Sequence, residues 1–260
     1  MPVMVEKDKW ILYKHTNNYE LIKAVALDVK NSCRTVISEA ERHRMQDRLA
    51  ALNLYKTRNP KAKPLDSINH RINTLEFWMF GYEDSSNGKK FMFSPLGNLF
   101  LKHINDDNKL TKIFIAMMFA VQFQHPANGT SSVFQLYPFR LIFKLLTDER
   151  LNGRLYHYEY AQILAFIKSI DESSYENLIC KILDLRTKSN DEIKAIYQSD
   201  EHTYVNAVYE WEYYTCKLLN TIGIIDRVKG SEICNLYHPQ KPTSHSAPTK
   251  RTCLLYTSPS

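Results

Sequence analysis

Apolar residues along the chain fall into blocks of helical period, separated by polar breaks that hold proline or glycine. Leu21, Ile22, Val25 and Val29 follow Asn17 and Asn18, whose side chains can cap a helix start. A second helix is expected from about Val36 to Leu54. Val36, Ile37, Ala40, Leu49 and Leu52 form its apolar side, and Arg42, His43, Arg44 and Arg48 load the remaining positions with charge. Thr57 to Asp66 is turn-rich and contains Pro60 and Pro64. A third helix should start with Asp66 or Ser67 as cap. It carries Ile68, Ile72, Leu75 and Trp78 at spacings of 4, 3 and 3.

The period then shortens. Phe77 to Glu83 and Phe91 to Phe93 read as strands flanking a turn with Asn87-Gly88 at its tip. Ser94-Pro95 opens another helix, a cap followed by proline at the first helical position. The nine-residue apolar run Ile113 to Val121 is too short for a bilayer span and reads as a buried helix core.

The second half repeats the theme loosely. A helix is expected after Tyr137-Pro138, a turn at Asn152-Gly153, and a helix from about Tyr158 to Ile170. Glu172 to Gln198 reads as a helix pair broken near Ser189-Asn190. An aromatic helix from Tyr204 to Leu219, read as core, then leads to strand-like Ile222 to Val228, a basic turn Lys229-Gly230-Ser231 and strand-like Ile233 to Tyr237.

Three helices followed by a two-stranded ribbon with a basic tip is the order of a winged helix-turn-helix. The expected fold is therefore mainly α with short β-hairpin wings, as tandem winged helix-turn-helix DNA-recognition subdomains. Residues 1–125 would form the first and 126–238 the second, with 239–252 as a linker or disordered end. The last eight residues, 253–260, resemble a translated transposon-adapter sequence from library preparation and are set aside from fold reasoning.

Candidate DNA contacts follow from the chemistry of base edges. Asn69, His70, Arg71 and Asn73 occupy non-core positions of the third helix. Asn and Arg carry the paired groups that match adenine and guanine. Lys89 and Lys90 at the first wing, and Arg227 and Lys229 at the second, would contact phosphates.

Composition narrows the alternatives. Seven glycines in 260 residues is about 3%, against an average near 7%. No GxGxxG or GxxxxGK[ST] occurs, which argues against phosphate-cradling enzymes. The net charge of +6 permits a nucleic-acid partner without demanding one. Met1 to Trp10 is charged and is no signal peptide. With no CxxC spacing among the five cysteines, a reduced cytoplasmic setting is expected and no membrane partner. Asp184 with Lys188, and Asp191-Glu192 with Lys194, read as helix-surface charges. Asp106-Asp107 and Asp171-Glu172 read as helix-end caps. No catalytic residue and no metal ligand is assigned.

Four blocks, in order, resemble one family. They are Ile72-Asn73-Thr74-Leu75 through Phe80-Gly81 to Ser94-Pro95-Leu96-Gly97; Val121-Gln122-Phe123-Gln124-His125-Pro126 with Tyr137-Pro138-Phe139-Arg140 to Leu146; Leu155 to Leu164; and Tyr213 to Tyr237. Together they are similar to the AlwI-type family of type IIS restriction endonucleases and their nicking relatives. That resemblance implies recognition of a short asymmetric site in double-stranded DNA by N-terminal winged-helix subdomains. It also implies cleavage by a C-terminal PD-(D/E)xK nuclease domain using Mg2+, in a prokaryotic cytoplasm. A second nuclease subunit and a cognate methyltransferase would be further partners. The nuclease half is missing from this sequence, so the chain alone is expected to be inactive and to need no cofactor. A non-enzymatic winged-helix regulator or replication initiator, and a helical protein-interaction scaffold, are the alternatives.

Overall fold

The computed structural model describes residues 8–12, 16–32, 37–55, 64–84, 86, 88, 90–125, 127, 130–198, 207, 209–230 and 250–255. For Pro64, 197–198, 226–230 and 250–255 the account is of the backbone alone. The chain forms two compact units, 13–121 and 1–12 with 122–260. Both are mainly helical.

The first unit contains α1 (Tyr19–Ser32), α2 (Glu39–Ala51) and α3 (Pro64–Phe77). The ribbon β1 (Gly81–Asp84) and β2 (Lys90–Phe93) follows, then α4 (Pro95–Lys102) and α5 (Asp107–Ala120). Asn18 Oδ1 accepts from Leu21 N at 3.1 Å, which makes Asn18 the cap of α1. Helix α3 starts at Pro64, two residues before the first of the expected caps, Asp66. Proline suits a first helical position, where no intrahelical N–H bond is lost. The same helix continues through Phe77, which the aromatic run had placed in a strand. It ends where Met79 turns left-handed at φ 64°, and Phe80 N bonds back to Leu75 O at 2.9 Å.

Helix α2 turns differently from expectation. Its buried positions are Arg42, Met45 and Leu49, while Leu52 is 61% exposed. The 3,4 spacing of these three selects one stripe, and arginine can enter it because its guanidinium finds partners there. The ribbon pairs Gly81 with Phe93 and Asp84 with Lys90. Ser94 caps α4 by accepting from Gly97 N at 2.9 Å, and Asp106 caps α5 by accepting from Lys109 N at 3.1 Å. Phe100 and Phe114 bury against Tyr19, and Phe114 also against Trp78, forming this unit's aromatic core.

The second unit is built from α6 (Pro138–Thr147), β3 (Arg154–Tyr156), α7 (His157–Gln162), α8 (Glu172–Thr187) and α9 (Asn190–Gln198). A π-helical turn, Glu210–Cys216, continues as α10 (Lys217–Thr221) and leads to β4 (Ile225–Gly230), and β5 (Lys250–Leu255) completes the sheet. Trp10 is fully buried here. Its indole donates to Ile167 O at 2.8 Å, and its ring meets Phe123 and Tyr160 edge-on. The aromatic helix is core in part: Trp211 is buried and stacks on Tyr160, while Tyr213 is 45% exposed. Helices α8 and α9 break at Lys188-Ser189, and Asp171 caps α8 reciprocally with Ser174.

The sheet has the order β3-β5-β4 and is antiparallel throughout. No element was expected at Lys250–Leu255, yet this stretch is the central strand. The expected return strand Ile233 to Tyr237 lies outside the described residues. The described partner of β4 is β5, with Arg227 opposite Cys253 and Lys229 opposite Arg251.

A charged clasp joins the end of α6 to α8. Arg150 donates to both oxygens of Asp148, at 2.9 and 2.7 Å, and to both of Glu176, at 2.6 and 3.2 Å. The Tyr175 hydroxyl donates to Asp148 at 3.0 Å. The Arg150 guanidinium, helped by Arg150 N and by Tyr175, holds the Asp148 carboxyl well below the usual carboxylate range, against the opposing effect of burial. A depressed folded-state value means the stabilisation is complete above about pH 4 and is lost as pH falls through the folded value. Asp148→Asn should therefore destabilise the protein by about 1 kcal/mol at neutral pH. The gap to wild type should close progressively below about pH 4. Thermal unfolding across that range checks it; a gap that stays constant would rule out the carboxylate as its source.

Candidate nucleic-acid interface

Helix α3 and the ribbon carry the first group of predicted contacts, and helical geometry sorts them. At about 100° per residue, Asn69, Asn73 and His70 fall on one arc, while Arg71 lies on the far side of the axis from Asn73. His70 is exposed, and Asn69 and Asn73 are half-buried. Arg71 is half-buried with its Nε enclosed, because it flanks the stripe of Ile68, Ile72 and Leu75 rather than the outer face. The structure thus brings Asn69 and Asn73 together and sets Arg71 apart from them. Lys90 is half-buried at the turn end of the ribbon, in register with Asp84, and Lys89 lies outside the described residues. Arg227 and Lys229 belong to the other unit, in β4.

Asn69 and Asn73 line an open hollow of about 560 Å³, shared with Ile37, Ser38, Glu39, Arg42, Leu65 and Glu83. Its floor is set by Arg42, which is 8% exposed. Arg42 Nη1 donates to Asn69 Oδ1 at 2.7 Å and Nη2 to Glu83 Oε1 at 2.7 Å. One guanidinium thereby ties α2, α3 and β1 together. Glu76 supports the same junction by accepting from Glu83 N at 2.7 Å, and burial, with Glu83 nearby, raises its carboxyl above the ordinary range.

Arg42 and Glu83 are functional candidates that the sequence reading passed over. Arg42 was counted among surface charges of α2. The signal for it was its 3,4 spacing with Met45 and Leu49. The other arginines of α2 are also engaged. Arg48 grips Asp28 at 2.6 and 3.0 Å and Glu41 at 3.0 Å, and Arg44 meets Glu41 at 2.9 Å. The Arg48 bond holds the Glu41 carboxyl below its usual value. The basic character of α2 is thus answered largely inside the protein.

Among the described residues, no group of three or more His, Cys, Asp or Glu side chains is placed to hold a metal ion. Those described residues offer Mg2+ no donor set of three. Asp184 pairs with Lys188 at 3.1 Å and Asp191 with Lys194 at 3.3 Å, both along helix surfaces. Among the described residues no helix is long and apolar enough to cross a membrane.

Residues 5–254 match the family described as type II restriction endonuclease HgaI, N-terminal domain. The chain belongs to this family. A relative, the type II restriction enzyme HgaI of Avibacterium volantium, is 46% identical over 252 residues. The alignment covers 96% of this chain and 51% of the relative. The chain thus spans about half the length of the curated relative it matches. The match is to the HgaI family and does not single out the AlwI-type one. The coarser expectation, the N-terminal region of a type II restriction enzyme, stands.

Proposed function

We propose that this HgaI-type domain is the sequence-recognition region of a type II restriction endonuclease. It binds a short asymmetric site in double-stranded DNA, as the likeness to type IIS enzymes also implies. Phosphodiester cleavage depends on Mg2+ and on a nuclease region outside these 260 residues. The observation that carries the reading is the match to an N-terminal domain together with coverage of about half the relative. In this reading α1 to α3 and the ribbon act as a winged helix-turn-helix. Helix α3 enters the major groove, and the Lys89-Lys90 side of the ribbon follows the phosphates. Arg227 and Lys229 add phosphate contacts from the second unit. A methyltransferase protecting the same site, and a second nuclease subunit for cutting both strands, complete the system.

Titration of the purified chain against duplex DNA tests this. The logarithm of affinity should fall linearly with that of salt concentration, by about 0.9 for each phosphate contacted. Mg2+ should produce no cleavage. A weak, salt-independent response would remove DNA as the partner, and cleavage with Mg2+ would place an active site within this chain.

A further inference from the structure

Helix α6 buries Pro138, Phe139, Leu141, Ile142, Leu145 and Leu146. Helical spacing leaves Tyr137, Arg140 and Lys144 in one row on its outer side, and all three are exposed. Both cations rest on aromatic rings. The Arg140 guanidinium carbon lies 4.0 Å from the centre of the Tyr137 ring, and Lys144 Nζ lies 3.8 Å from that of Tyr175. Tyr175 is itself buried and bonded to Asp148. A ring orients a cation without cancelling its charge. The donors of a guanidinium lie in its plane, so stacking on Tyr137 sets the angle of the fork and keeps its donors clear of the ring.

The surroundings of this row are basic as well. Gln135 N donates to Lys168 O at 2.6 Å, which brings the exposed Lys168 beside the chain entering α6. No Asp or Glu occurs from Gln122 to Thr147 or from Ile163 to Ile170. Past the end of the row, Asp148 and Glu176 are both gripped by Arg150. Arg140 stands in the first turn of α6, where a positive charge opposes the helix dipole. Arg140 and Lys144 are about 6 Å apart along the helix axis, so they can meet separate phosphates of one strand.

We infer that the outer row of α6 is a phosphate-binding surface of the second unit, which grips the DNA backbone whatever its sequence. Arg140 and Lys144 each take a phosphate, and Tyr137 is a positioning residue that acts through Arg140. This inference rests on the DNA-recognition reading above.

The full chain should be titrated against several duplexes of different sequence over a range of salt. Arg140→Ala should bind all of them about 5- to 10-fold more weakly, and its slope of log affinity against log salt should be shallower by about 0.9. Adding Lys144→Ala should roughly double the change in slope. Tyr137→Ala should weaken binding with the slope unchanged, because no charge is removed, and Tyr137→Phe should restore it. Lys188→Ala, which removes a charge outside the row, should behave as wild type. If wild type binds and the double variant keeps its affinity and slope, the row touches no phosphate and the inference fails while DNA recognition stands. An equal change in slope from Lys188→Ala would overturn it too, since net charge alone would then be the cause. So would a loss confined to one sequence, which marks a base contact. A weak, salt-independent response from wild type would sink the proposed function, and the inference with it.

Discussion

Replacing Glu159 with alanine should destabilise the second unit by about 3–5 kcal/mol. The Glu159 side chain is fully buried, and that of Arg186 is 19% exposed. Arg186 donates to both Glu159 oxygens, at 2.7 and 3.2 Å, and also to Leu151 O and Arg154 O, at 3.1 and 2.7 Å. Glu159 in turn accepts from Tyr156 N at 2.9 Å, at the start of α7. One pair thus joins α8, the turn before β3 and the first turn of α7. Removing the carboxylate leaves a half-buried guanidinium with carbonyls but no counter-charge, the situation in which broken pairs cost most. The urea midpoint should fall with little change in slope. Combining Glu159→Leu with Arg186→Met should recover much of the loss, because neither charge is then stranded. A single-variant loss under about 1 kcal/mol would mean that water replaces the partner and the pair behaves as a surface bridge.

Local signals in the sequence located the elements well where one rule dominated. Proline after a capping residue placed the start of α4, and Asp106 and Asp171 were legible as caps because a short carboxylate before a helical period has few other uses. The helix pair α8–α9 was legible from its break. Failures came where burial was decided by partners far along the chain. Arg42 sits inside because Asn69 and Glu83, 27 and 41 residues away, meet it there. No periodicity in α2 states that fact, although the 3,4 stripe hinted at it. Arg71 was placed outward on polarity alone, and the position of its neighbours on α3 draws it inward. Strand β5 was missed because 239–252 reads as a linker or disordered end and 253–260 was set aside from fold reasoning. A strand separated from its partner by a long segment carries little local sign of pairing, and its register with β3 and β4 comes only from tertiary structure.

The approach of α4 to the end of α3 supplies the other large effect. Gly97 is buried in the first turn of α4, and a Cβ built on it would lie 2.1 Å from Phe80 O and 2.9 Å from Phe80 C. These are backbone atoms, and Phe80 O already accepts from Ser94 N at 2.8 Å. A side chain could rotate away, but this carbonyl can move only with the ribbon. Gly97→Ala should gain about 1 kcal/mol of helix propensity and lose more to the clash, for a net destabilisation of about 2 kcal/mol or more. Gly223→Ala provides the contrast. Nothing lies within 4 Å of its Cβ position, but φ is +73°, so its penalty is conformational strain of about 1–2 kcal/mol. The two causes separate on binding as well as on stability. Displacing Phe80 shifts Gly81 and the ribbon, whose Glu83 holds Arg42 and through it Asn69, so Gly97→Ala should weaken duplex binding even where it remains folded. Gly223→Ala leaves that hollow untouched. If Gly97→Ala melts at the wild-type temperature, α4 must be able to back away from Phe80, and the close approach has no role in holding the ribbon.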